Sequence, residues 1–158
     1  MSAVNKAHMA SQAEPSDVEL PVERCNGTAL RKASRRLSQF YDAAIAPSGL
    51  RGTQKAILSA VARSNGITTG RLASEMSIDR TALAHNMKPL QRDGLIRIEI
   101  DAEDRRARRL VVTDAGKERL AASEPLWEAA QRRFEAVYGV EEALELRRTM
   151  ARIAKLKL

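Results

Sequence analysis

Apolar residues recur along this chain at two periods, and the changes of period mark its elements. From Val22 to Ala46, the residues Leu30, Ala33, Leu37, Phe40 or Tyr41 and Ala44 return at three- and four-residue intervals. Arg31, Lys32, Arg35 and Arg36 lie outside that stripe, the pattern of an amphipathic helix. Pro47-Ser48-Gly49 ends it, and a second helix is predicted from about Thr53 to Arg63, with Ile57, Leu58 and Val61 inward, closed by Ser64-Asn65-Gly66. Thr69 to Met76 reads as a short helix, and the turn at Ser77 and Ile78 leads to Asp79, placed to cap the next one. That helix, Asp79 to Asp93, sets Leu83, Met87 and Leu90 on one narrow stripe, with Thr81, His85, Lys88 and Arg92 on the opposite side. Gly94 stops it.

The period then falls to two. Leu95-Ile96-Arg97-Ile98-Glu99-Ile100 alternates apolar and polar, Leu110-Val111-Val112-Thr113 is β-prone, and the charged loop Asp101 to Arg109 lies between them, so a hairpin with a basic tip is expected. Helical spacing resumes after Thr113 or Asp114. It carries Leu120, Trp127, Ala130, Phe134 and Val137 to about Tyr138, where Gly139 ends the helix. Pro125 is expected to kink or locally break this helix. A last helix, about Glu141 to Lys157, has Ala143, Leu146, Met150 and Ile153 on one stripe. Gly27 and Gly52 point to irregular starts of the first two helices.

The predicted fold is mainly α with a small β-hairpin wing: two short helices joined by a turn, followed by a hairpin, make a winged helix-turn-helix. Length and 44% apolar content support one domain over about 22–158, behind a tail over 1–21 that lacks helical periodicity. Within it, about 50–113 forms the DNA-binding core, flanked by helices at about 22–46 and 114–158. The small central module cannot bury the stripes of those flanking helices alone, which points to a partner surface or to a monomer whose terminal helices fold back on one core.

A formal net charge of +7 suits a polyanion or an acidic membrane surface. No run approaches the ~18 apolar residues of a spanning helix, and Met1 to Ala13 lacks the apolar block of a secretory signal, so the expected location is cytoplasmic. The one cysteine, Cys25, excludes an intrachain disulfide, and the lack of Cys/His clusters argues against a zinc site. An enzyme is a poor reading: His8 and His85 are the only histidines, no nucleophile has an evident base partner, and no phosphate-cradling glycine motif or cofactor signature is present.

DNA chemistry fits better. A helix enters the major groove, where each base pair shows its own donor and acceptor pattern, so exposed residues near its N-terminus are the candidate readers. Here these are Arg80, Thr81, Ala82 and His85, of which Arg80 suits guanine or phosphate, Thr81 suits thymine or phosphate, and His85 is equally readable as an ordinary surface residue. Lys88 and Arg92, further along, suit backbone phosphates. Arg105 and Arg106 at the wing tip suit the narrow, negative minor groove, unless they are simply a solvated charge run.

In order and spacing, these residues resemble the MarR family of bacterial transcription regulators. The resemblance rests on Leu72-Ala73, on Asp79-Arg80-Thr81, and on Leu90-x-x-Asp93-Gly94-Leu95-Ile96. It continues through Asp104-x-Arg106 and Leu110-x-x-Thr113-x-x-Gly116, and covers roughly Val22 to Leu158. It implies a homodimer interlocked through the N-terminal and last two helices, Asp104 paired with Arg106 to orient the wing, and repression by promoter occlusion. A two-fold dimer would require a palindromic double-stranded operator with half-sites about 10 base pairs apart. The resemblance also implies a small anionic or phenolic effector near the first two helices. Arg31, Arg35 and Tyr41 are the candidate liners, although surface arginines are more often solvated. Cys25 lies roughly where a peroxide-sensing branch carries its reactive thiol, and Arg24 and the helix dipole would lower its pKa; an inert thiol is the alternative. A different class also remains open, a winged-helix module binding protein or nucleic acid without sequence preference. Within the first reading, Arg106→Ala should weaken operator binding more than Arg71→Ala.

Overall fold

The computed structural model describes residues 24–64, 66–101 and 108–157. Its elements follow in the order α1 (Asn26–Ile45), a 3-10 turn (Ala46–Ser48), α2 (Gly52–Ser64), β1 (Ile67–Thr68), α3 (Thr69–Glu75) and α4 (Arg80–Arg92). The strands β2 (Ile96–Ile100) and β3 (Arg108–Val112) and the helices α5 (Asp114–Tyr138) and α6 (Val140–Ile153) complete it. Apolar residues that recur at helical spacing converge on one core: Ile57, Leu58 and Val61 of α2, Leu72 of α3 and Leu83 and Leu90 of α4 are all nearly solvent-free. Ile67, Leu95, Ile96, Leu110 and Val112 close the core from the sheet side. This packing supports the short α3, since a helix of seven residues is not stable by itself in water.

Several expectations change. The hairpin belongs to a three-stranded antiparallel sheet of order β1-β3-β2, because Ile67 and Thr68 pair with Leu110 and Arg109. α5 runs through Pro125 without a break: Pro125 and Ala121 are both exposed, so water can satisfy the carbonyl that loses its helical donor. α6 stops at Ile153 rather than near Lys157, and all of residues 151–157 are exposed, so no packing holds a further turn. Gly27 and Gly52 are taken into the first turns of α1 and α2. At Gly52 the free N–H of the helix start is met by Asp42 Oδ1 at 2.6 Å, which ties α2 to α1.

α1 packs along α5, and α5 carries α6. Contacts of α5 with α2 and with the 3-10 turn join these long helices to the winged module. Among the described residues no helix is long and apolar enough to cross a membrane, and no cluster of His, Cys, Asp and Glu side chains could hold a metal ion.

Candidate nucleic-acid interface and the flanking groove

α4 is built as a surface to present. Asp79 Oδ1 accepts the Ala82 N–H at 2.8 Å, fixing the helix start. Leu83, Met87 and Leu90 bury one side, and Thr81, His85, Lys88 and Arg92 stand exposed on the other. Arg80 is exposed at the first turn and leans back over α3, since a Cβ on Gly70 would lie 3.4 Å from its Nη2. Ala82 is half-buried and adds little to the reading face. Arg92 Nε donates to Asp93 Oδ1 at 2.8 Å, a bond that holds the Asp93 carboxyl below the usual carboxylate range, so Arg92 is engaged at the helix end. Asn86, which the sequence reading passed over, turns inward and donates to the Ala82 carbonyl at 2.8 Å.

The base of the hairpin is ordered by pairing of Ile96 with Val112 and of Ile98 with Leu110. Arg97 and Glu99 form an exposed ion pair on the outer strand. Asp104, Arg105 and Arg106, the expected wing contacts, lie outside the described residues, as does the segment 1–21.

A second feature lies among the long helices, an open and mostly apolar groove of about 1040 Å³ between α1, α2, α5 and α6. Leu30, Leu37, Tyr41, Lys55, Trp127 and Met150 are among its lining residues. Of the three expected liners, only Tyr41 is there. Its hydroxyl donates to Gln131 Oε1 at 2.7 Å, and burial, followed by the Glu135 carboxylate, holds the phenol above its ordinary range. Arg31 and Arg35 sit on the exposed face of α1, away from its apolar stripe, and Arg31 Nη2 donates to the Thr28 hydroxyl at 3.1 Å.

The groove also holds a charge that periodicity could not reveal. Lys55 Nζ pairs with Glu124 at 2.9 Å and lies 4.8 Å from the Trp127 ring centre, its side chain only 12% exposed. The partners are about seventy positions apart, so no local pattern links them. Cys25 is exposed at the N-cap of α1. Its thiol is pulled below the ordinary range by the Thr28 hydroxyl first, and then by the backbone N–H groups of Thr28 and Gly27; Arg24 takes no part.

A capped helix with a buried stripe and a polar, basic outer face, followed by a hairpin, defines a winged helix-turn-helix DNA-binding protein. Comparison with known proteins agrees. The model of the MarR family matches residues 48–107. The transcriptional regulator MosR of M. tuberculosis, solved in complex with DNA, is 32% identical, with 84% of this chain and 99% of that one covered and a TM-score of 0.67. The transcriptional repressor CouR, solved bound to a 23-mer DNA duplex, is 25% identical, with 83% and 93% covered and a TM-score of 0.76. BadR, a transcriptional activatory protein of Rhodopseudomonas palustris, is 32% identical over 114 residues, which span 70% of this chain and 61% of BadR. The chain therefore belongs to the MarR family, and it is a transcriptional regulator rather than an enzyme.

Proposed function

We propose that the protein binds a palindromic operator as a homodimer, represses the gene beside it, and is released by a small ligand or an oxidant. The observation that carries this reading is α4, whose exposed Thr81, His85 and Lys88 stand opposite three buried apolar residues, with Arg80 exposed at its first turn beside a fixed N-terminus. In this reading Arg80, Thr81 and His85 address the major groove and Lys88 the backbone, while Arg105 and Arg106, oriented by Asp104, address the minor groove. α1, α5 and α6 form the dimer, with one half-site for each copy. Repression is favoured by the likeness to CouR; the likeness to BadR supports activation as the alternative. A reporter fused to the adjoining promoter, measured with and without the regulator, separates the two.

Release is assigned to the groove lined by Tyr41, Lys55 and Trp127, or to oxidation of Cys25. The test is selection from random duplexes, followed by gel-shift titration of the winner with and without peroxide. A palindromic winner is expected. Release by peroxide that a Cys25→Ser variant resists assigns the oxidant, whereas indifference to peroxide points to a small ligand, for which the groove is the site, or to a constitutive repressor. Enrichment of no sequence would overturn operator recognition and favour a module that binds without sequence preference.

A further inference from the structure

Away from the reading face of α4, a polar pocket of about 270 Å³ opens where the end of α2, β1, α3 and β3 meet. Three arginines from three elements line it: Arg63 of α2, Arg71 of α3 and Arg109 of β3. Two carboxylates stand against them. Glu75, also in the lining, lies 3.7 Å from Arg63 Nη2, an exposed and loose pair of the kind that contributes little in water. Asp101 Oδ2 lies 3.3 Å from Arg109 Nε, so three guanidiniums face two carboxylates among the described residues.

Arg109 is fixed in place by these contacts. Its Nη2 donates to the Gly66 carbonyl at 2.8 Å while Asp101 holds Nε. Gly66 has φ +108°, and a Cβ there would come within 2.9 to 3.1 Å of the guanidinium, so this close approach requires glycine. Arg71 makes no ion pair among the described residues and is exposed. Its backbone is held by the Thr68 hydroxyl, which accepts the Arg71 N–H at 3.3 Å. A fixed guanidinium, a second with no acidic partner among the described residues and a third on a loose one match the tetrahedral oxyanion of a phosphate, which guanidinium forks bind through parallel N–H donors.

We propose that this pocket binds a phosphate oxyanion, with Arg71 and Arg63 supplying charge and Arg109 a preorganised donor. The phosphate is that of the DNA backbone beside the operator half-site or that of a free phosphate ester. The first source is at hand, because the Arg80 side chain crosses from α4 onto Gly70, the residue before Arg71, so a guanidinium of the reading helix lies against the helix that carries Arg71. Only this source rests on the operator reading.

Two measurements on the full chain test it, using wild type, Arg71→Ala, Arg63→Ala and Glu75→Gln. The first is gel-shift titration over a range of salt. If the DNA backbone occupies the pocket, Arg71→Ala lowers the log-log salt slope by about one, leaves the ratio of operator to scrambled-duplex affinity unchanged, and Glu75→Gln tightens both duplexes. The second is thermal unfolding in inorganic phosphate against chloride at matched ionic strength. If free phosphate esters occupy it, phosphate raises the wild-type midpoint more than that of Arg71→Ala or Arg63→Ala, and the salt slopes coincide. Equal slopes together with equal phosphate shifts in all four proteins would overturn the proposal. A wild type that selects no operator defeats the operator reading alone, since both readouts also run on arbitrary duplex or without DNA.

Discussion

At the scale of single residues, the clearest lesson comes from Cys25, because its surroundings differ from what the sequence suggested. Arg24 and the helix dipole were the expected causes of an activated thiol; Arg24 takes no part, the helix start acts through the Thr28 and Gly27 N–H groups, and the first cause is the hydroxyl of Thr28, three positions on. Arg31 Nη2 in turn donates to that hydroxyl's oxygen, so a guanidinium expected to line an effector site instead backs the residue that polarises the thiol. A hydrogen bond to the thiolate favours the charged form, and the thiolate is the nucleophile. Thr28→Val should therefore raise the thiol pKa and slow iodoacetamide alkylation at neutral pH, with a smaller slowing in Arg31→Ala and none in Arg24→Ala. The pH profile of the alkylation rate reads this directly, and a Thr28→Val profile that coincides with wild type would show that the hydroxyl does not engage the sulfur.

At the scale of elements, the junction of hairpin and α5 shows what the residue pattern could and could not reveal. Leu110, Thr113 and Gly116 were recognisable by their order, but their reasons lie across the fold. The Thr113 hydroxyl donates to the Gly94 carbonyl at 2.6 Å and accepts the Gly116 N–H at 3.1 Å, so one side chain ties the end of α4 to the start of α5. A Cβ at Gly116 would collide with the Leu95 carbonyl oxygen and approach Val112 Cγ1 to 2.8 Å. Gly116→Ala gains up to about 1 kcal/mol of helix propensity but forces backbone apart, which costs about 1–3 kcal/mol, so the net effect is a loss. The urea midpoint should fall with the slope unchanged; a higher midpoint would show that α5 can shift to admit the methyl. Long amphipathic helices and their caps were legible because their period repeats over several turns, as in α4 with Asp79 and its three buried residues. β1 was not, since two residues carry no period, and the Lys55–Glu124 pair and the arginine pocket were not, since their members meet only after folding.

For the whole molecule, the question is what covers the apolar surface that one chain leaves open. Leu30 of α1, Met150 and Ile153 of α6 and the α5–α6 corner at Val137, Tyr138 and Val140 are between 36% and 87% exposed, although the core of the winged module beside them is buried and only Ile98 and Ile100 of β2 stand out from it among the large apolar residues described there. A second copy with its own α1, α5 and α6 would supply an equally apolar surface, and a lasting interface needs about 800 Å² from each partner. The consequence can be tested without harming the fold, because Ile153 is 46% exposed in the single chain and a glutamate there meets water. In a dimer that buries this position, the same carboxylate would lose its hydration without gaining a partner, a cost of several kcal/mol, incurred once in each copy. Ile153→Glu should therefore leave the helical circular dichroism unchanged while sedimentation shifts from twice 17.4 kDa to 17.4 kDa at micromolar concentration. Operator affinity should fall with it, since two reading helices held on one body bind the second half-site at a high effective concentration and separate copies do not. A variant that still sediments as a dimer would place the interface away from the end of α6, and a monomer that keeps full operator affinity would mean that a single reading helix and its wing suffice.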